Sequence, residues 1–146
     1  WDFDVASQGF RFHMSNINAA IGIEQLKRIG LFKEKRQHIV RRYIEMLSPI
    51  NEVKFLDLNY KEIIPHVFVI KVKNRDELMN YLLKFGIECG IHYKPNHMLQ
   101  MYSKSLITLP VTESLYKEII SLPCHVDLSL LEQDYVIQKI GEFYNA

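Results

Sequence analysis

Apolar residues recur along this chain first at a helical period and later at a strand period. From Met14 to Ile29 the pattern predicts a helix. Ile17, Ala20 and Ile21 share one face, Ala19, Ile23 and Leu26 share another, and Ser15 stands near the N-cap. A helix apolar on more than one side is buried or sits in an interface. The small residues Ala19, Ala20 and Gly22 let other backbones come close, and Gly30 reads as the stop. A second helix is expected from about Phe32 to Leu47, ended by Ser48-Pro49. Phe32, Ile39, Val40, Tyr43, Ile44 and Leu47 form its inner stripe, and Lys33, Lys35, Arg36, Arg41 and Arg42 its outer face.

The middle of the chain has strand character. Val53 to Leu56 is a short candidate, and His66 to Val72, rich in β-branched and aromatic residues, is a stronger one. Asn74 followed by Glu77 predicts a capped helix with Leu78, Tyr81, Leu82 and Phe85 inward and Gly86 as its end. Ile87 to Tyr93 reads as another strand, and Pro95 to Thr108 as mostly irregular. A short helix from about Thr112 to Ile119 precedes an extended Ser121-Leu122-Pro123. Ser129 with Glu132 forms a capping box for a last helix whose Val136, Ile140 and Phe143 face inward. This order predicts an α+β fold, with a small, mostly antiparallel sheet covered by helices.

At 146 residues the chain is long enough for one domain with its own core. It is 48% hydrophobic and 24% charged with a formal charge of +1, which argues for neither a nucleic-acid coat nor an acidic tail. No apolar run approaches the ~20 residues that cross a bilayer. Cys89 and Cys124 are too few for a disulfide framework, so they read as reduced thiols of a cytoplasmic protein. The opening Trp1-Asp2-Phe3-Asp4 lacks an initiator methionine and reads as a boundary cut into a longer protein.

The candidate chemistry is confined to a few places. No Gly-rich phosphate loop and no Gly-x-Ser-x-Gly elbow is present. His92 and His97 have no Cys or carboxylate at metal-ligand spacing, so polar loop histidines are the plainer reading. From Lys27 to Arg42 seven Lys or Arg stand against one acid, Glu34. That stretch is either an anion-binding surface or a solvated helix face, and no interleaved aromatics favour nucleic acid. The densest polar cluster is His92-Tyr93-Lys94-Pro95-Asn96-His97. It sits where a strand gives way to a loop and supplies donors suited to hydroxyls, carboxylates or phosphates.

Several segments in order carry a resemblance. Gly9-Phe-Arg-Phe-His-Met-Ser-Asn-Ile-Asn-Ala-Ala-Ile-Gly22 resembles the motif that opens the second half of the DegT/DnrJ/StrS sugar aminotransferases. Its usual form is Gly-Tyr-Asn-Tyr-Arg-Met-Ser-Asn-Ile-Asn-Ala-Ala-Ile-Gly. Glu24-Gln25-Leu26, Asn74-Arg-Asp-Glu-Leu78, Gly86-Ile87, His92-Tyr93-Lys94-Pro95 with His97, Leu109-Pro110 with Thr112-Glu113, and Ser121-Leu-Pro-Cys-His125 follow the same pattern. The resemblance spans essentially the whole chain.

The resemblance implies the C-terminal domain of a fold type I PLP aminotransferase. Residues 1–48 would be two linking helices and 49–146 a small α+β domain, with the large PLP-binding domain absent. The parent enzyme would transfer an amino group from glutamate to a keto group of a nucleotide-linked sugar, in amino-sugar or surface-polysaccharide biosynthesis. It would work as a cytoplasmic homodimer with no nucleic-acid or membrane partner. PLP serves as the electron sink, held by a Schiff-base lysine with a carboxylate on its ring nitrogen. In the family both residues precede the Gly9 motif, and no lysine here, Lys94 included, matches the Schiff-base position. The resemblance therefore assigns no catalytic residue to this chain and implies that alone it is inactive and binds no PLP.

Arg11 stands where the family has Asn, and His13 where the commoner form has Arg. That segment approaches the PLP phosphate of the neighbouring subunit, so the resemblance makes Arg11 and His13 cofactor-side residues, with a guanidinium suited to a phosphate. It makes His92, Tyr93 and Lys94 substrate-side residues, and gives His125 and Cys124 structural roles. The alternative of a different class is a stand-alone, non-catalytic binding module derived from the same domain. A third reading is nucleic-acid binding through the Lys27–Arg42 face, whose affinity would fall steeply with salt.

Overall fold

The computed structural model describes residue 4, residues 7–10, 12–102 and 107–145. The chain divides into two compact units, Trp1–Leu31 and Phe32–Ala146. One helix, α1 (Asn16–Leu47), begins in the first and ends in the second.

Ser15 caps α1 as its residue type predicts: its hydroxyl accepts the Asn18 backbone N–H at 3.2 Å. The expected stop at Gly30 does not occur, and the two predicted helices are one of 32 residues. A glycine inside a helix costs about 1 kcal/mol relative to alanine, which the Leu, Lys, Arg and Glu around it absorb without a break. The division between these units falls inside this helix. In the first unit the apolar side chains of α1 are exposed, Ile17 and Leu26 among them. In the second, Ile39, Val40, Tyr43 and Leu47 are buried at the expected helical spacing.

The second unit is built on three antiparallel strands, β1 (Lys54–Phe55), β2 (Phe68–Lys71) and β3 (Ile119–Leu122), in the order β1-β2-β3. Phe68 pairs with Leu122 and Ile70 with Ile120. These four side chains join Tyr43 and Leu47 of α1, Leu78 and Leu82 of α2 (Arg75–Lys84), and Val136 and Ile140 of α4 (Leu130–Tyr144) in one core. Tyr43 stacks on Phe68 at 5.3 Å and donates its hydroxyl to the Pro123 carbonyl at 3.1 Å. Gln133 of α4 is buried, and its amide donates to the Ile39 carbonyl of α1 at 2.8 Å, which satisfies both polar groups. A helical layer over a small antiparallel sheet is the α+β architecture expected from the pattern.

Local chemistry explains most of the ends. Gly86, at φ +74°, closes α2 with the paired bonds Gly86 N–H to Leu83 O and Ile87 N–H to Leu82 O. At the other end the expected capping box does not form. Asn74 makes no side-chain cap, because its Oδ1 instead accepts the Tyr144 hydroxyl at 2.8 Å and so ties α2 to the end of α4. Arg75 is buried, donates to the Tyr116 carbonyl at 3.2 Å, and joins α2 to the end of α3 (Pro110–Glu118). The expected strand over Ile87–Tyr93 is also absent. Gly90 alone pairs with Ser121, after which the chain leaves the sheet.

Candidate functional site

The polar cluster at 92–97 hangs from the free edge of β3. Gly90 and Ser121 exchange backbone bonds, Gly90 N–H to Ser121 O at 3.0 Å and Ser121 N–H to Gly90 O at 2.8 Å. Two residues on, the His92 ring folds back, its Nδ1 sharing a hydrogen bond with Ser121 Oγ at 2.9 Å. The ring lies so close over Gly90 that a Cβ there would sit 2.6 Å from His92 Cε1. With the ring in this position a Cβ at residue 90 would force it to shift, so glycine suits the fold-back. His92 therefore acts as a brace, half-buried between Gly90 and Ser121.

Tyr93 packs edge-on against His92 with ring centroids 4.8 Å apart and is otherwise 72% exposed. Lys94 is exposed beside it. The segment thus presents a phenol and an ammonium to solvent from a braced base. Behind His92 an open cleft of about 330 Å³ is lined by Arg36, His66, Glu88, Ser121 and His125 as well. His125 of the Ser121–His125 motif thus shares a cleft with His92, a proximity that their distance in sequence gives no hint of.

His92 and His97, weighed together as metal ligands, do not act together. His97 turns to α3, where its Nε2 lies 3.1 Å from Glu113 Oε1. Among the described residues no group of three metal-ligating side chains occurs. The Glu113 carboxyl is held below the usual carboxylate range, first by the Leu109 N–H it accepts and then by its bond to His97.

Of the cofactor-side residues, Arg11 lies outside the described residues. His13 is exposed on the stretch leading into α1, between Phe12 and Met14, which are exposed as well. The basic stretch from Lys27 to Arg42 is not one free surface. Arg36 donates from Nη1 to the carbonyls of Pro65, His66 and Cys124 at 3.0, 2.8 and 2.8 Å. Arg42 pairs with Asp134 of α4, and Lys27 with Glu24. Two of its arginines thus hold the second unit together, which weakens the nucleic-acid reading. Cys89 and Cys124 are free thiols. Burial pushes Cys89 up to about 12, so it is no nucleophile at neutral pH.

The chain belongs to the DegT/DnrJ/EryC1/StrS aminotransferase family, whose sequence model matches residues 2–141. It is similar to the UDP-4-amino-4,6-dideoxy-N-acetyl-beta-L-altrosamine transaminase of Campylobacter jejuni, with 32% identity over 93% of this chain and 38% of that protein. A family aminotransferase from Brucella abortus superposes with a TM-score of 0.86 at 33% identity, covering 99% of this chain and 40% of the other. NtdA from Bacillus subtilis, solved with bound cofactor PMP, superposes at 0.87 with 27% identity, over 97% of this chain and 35% of its own. The chain thus spans about 40% or less of the length of each of these relatives. Among the described residues no helix is long and apolar enough to cross a membrane.

Proposed function

We propose that this chain is the C-terminal part of a PLP-dependent aminotransferase that moves an amino group from glutamate to a keto group of a nucleotide-linked sugar. The product would enter amino-sugar or surface-polysaccharide biosynthesis. The family match over residues 2–141, with the Gly9–Gly22 motif at its head, carries the reading. The Campylobacter relative, named as a transaminase of a UDP-linked amino sugar, and the PMP-bound Bacillus relative support it. In this reading residues 1–146 are the C-terminal domain, and the residues that hold PLP covalently precede it. The enzyme is a cytoplasmic homodimer, in keeping with two free thiols.

The donor set of this chain fits one end of PLP only. A guanidinium at Arg11 and an exposed imidazole at His13 suit a phosphate, while no lysine here matches the Schiff-base motif. PLP when bound supplies the electron sink that makes amino transfer possible. Arg11 would offer N–H donors to the phosphate in the neighbouring subunit, and His13 would supply a further donor. Tyr93 and Lys94 border the sugar nucleotide and donate to its hydroxyl or phosphate oxygens. His92, bonded to Ser121, fixes where that pair stands.

Borohydride trapping tests the assignment. In the complete enzyme incubated with PLP, reduction is expected to fix the cofactor to one lysine ahead of Gly9. In this chain alone no lysine is expected to be labelled. A stoichiometric adduct on Lys94 or any other lysine of this chain would overturn the reading.

A further inference from the structure

His97 and Glu113 have no part in the roles assigned so far. One carboxylate oxygen, Glu113 Oε1, meets His97 Nε2 at 3.1 Å and accepts the Leu109 backbone N–H at 2.9 Å. His97 belongs to a 3-10 turn, Asn96–Met98, Leu109 is the residue before α3, and Glu113 lies in the first turn of that helix. A single oxygen therefore meets both residue 97 and residue 109. The His97 side chain is only 10% exposed, while the Glu113 carboxylate that receives it is 33% exposed, so the contact has one buried and one solvated partner. The neighbouring cation on the carboxylate is Lys117, one turn along α3.

The turn that carries His97 is locked to the segment before it. Met98 N–H donates to Pro95 O at 2.9 Å, and Leu99 N–H to Asn96 O at 3.0 Å. Upstream, the segment is anchored by His92 on Ser121 of β3. Tyr93 and Lys94 thus lie on a short bridge with one pier on β3 and the other on α3. Tyr93 has ring contact with His92, but both residues present their polar ends to solvent. The two piers fix the backbone on which both side chains stand.

We propose that His97 and Glu113 are a positioning pair for the sugar-accepting half of the reaction, holding Tyr93 and Lys94 where the nucleotide sugar docks. This rests on the aminotransferase reading above. The pair does not touch substrate; it acts through the segment it pins. Loosening the second pier leaves the first intact, so the glutamate half of the reaction, which needs neither Tyr93 nor Lys94, is spared.

The test uses the complete enzyme with Glu113→Ala, His97→Ala and the conservative Glu113→Gln, which keeps an oxygen for both donors. Hydrogen exchange of amides 93, 94, 96–99 and 109 is expected to quicken about tenfold or more in the two alanine variants and far less in Glu113→Gln. The KM for the nucleotide sugar is expected to rise about tenfold with kcat within a factor of about three. Bleaching of the PLP band by glutamate should stay at the wild-type rate. Unchanged exchange at 93, 94 and 96–99 would sink the pin. Faster exchange with an unchanged sugar KM would remove the positioning role, as would an equal loss in both half-reactions, which marks general damage. A wild-type enzyme that glutamate does not bleach would overturn the aminotransferase reading instead, and the exchange data would still decide the pin.

Discussion

A Cβ on residue 90 would meet the His92 ring at 2.6 Å, and that distance decides how the candidate site is held. Gly90→Ala is expected to push the ring off Ser121, at a cost of about 1 kcal/mol in stability for the hydrogen bond lost when the ring turns away. Urea unfolding together with the His92 ring shifts in NMR would show it. A ring that keeps its Ser121 bond and an unchanged midpoint would contradict it. The pattern of the chain points to His92, Tyr93 and Lys94 as a cluster but not to this fold-back. Residues 90 and 121 are remote in sequence, and nothing local says that one ring lies over the other's strand partner. The pairing of His97 with Glu113 is hidden for the same reason, although both residues lie in segments that the family pattern marks. Arg36 is a further case: counted with a basic face, it is in fact a carbonyl-binding strut.

At the scale of elements, local signals succeed where the partner is local. Ser129 and Glu132 form the expected capping box: Ser129 Oγ accepts Glu132 N–H at 3.2 Å, and Ser129 N–H donates to Glu132 Oε2 at 2.8 Å. Ser129→Ala is expected to lower stability by about 1 kcal/mol near pH 7. The Glu132 carboxyl is held below its ordinary value, first by the Ser129 side chain and then by its backbone. A folded-state value below the unfolded one stabilises above the ordinary glutamate range and loses that contribution as pH falls through the depressed value. The gap between wild type and Ser129→Ala should therefore narrow in denaturant melts toward pH 3; a gap that widens would argue against the box. Asn74 and Glu77 carry the same kind of signal and form no box, because Tyr144 claims the Asn74 oxygen from α4. Gly30 likewise reads as a stop, yet α1 runs through it, since a glycine ends a helix only where the chain also takes a left-handed turn, as it does at Gly86.

For the whole molecule, the two units differ in how their apolar residues are used. The second unit buries its stripe in one core, while Phe12, Ile17 and Leu26 of the first are 88%, 74% and 68% exposed. So many exposed apolar side chains on one short stretch favour self-association. Static light scattering of the isolated chain at micromolar concentration is expected to give a dimer or larger species, and replacing Ile17 and Leu26 together by Glu should shift it toward monomer. A wild-type monomer would count against that. The periodicities of the chain by themselves determine its fold class, its main helices, its central strand and the apolar stripes, because each depends on neighbours within a turn or two. The ordered motifs likewise suffice to place it in its family. Only the tertiary structure decides that α1 is a single helix, that the segment after Gly90 is a braced loop and not a strand, and that His92 and His97 part to separate anchors on β3 and α3. The last two outcomes depend on groups brought together from distant parts of the chain, where a ring or a carboxylate outcompetes the local preference, while α1 continues because the helix formers around Gly30 outweigh its cost.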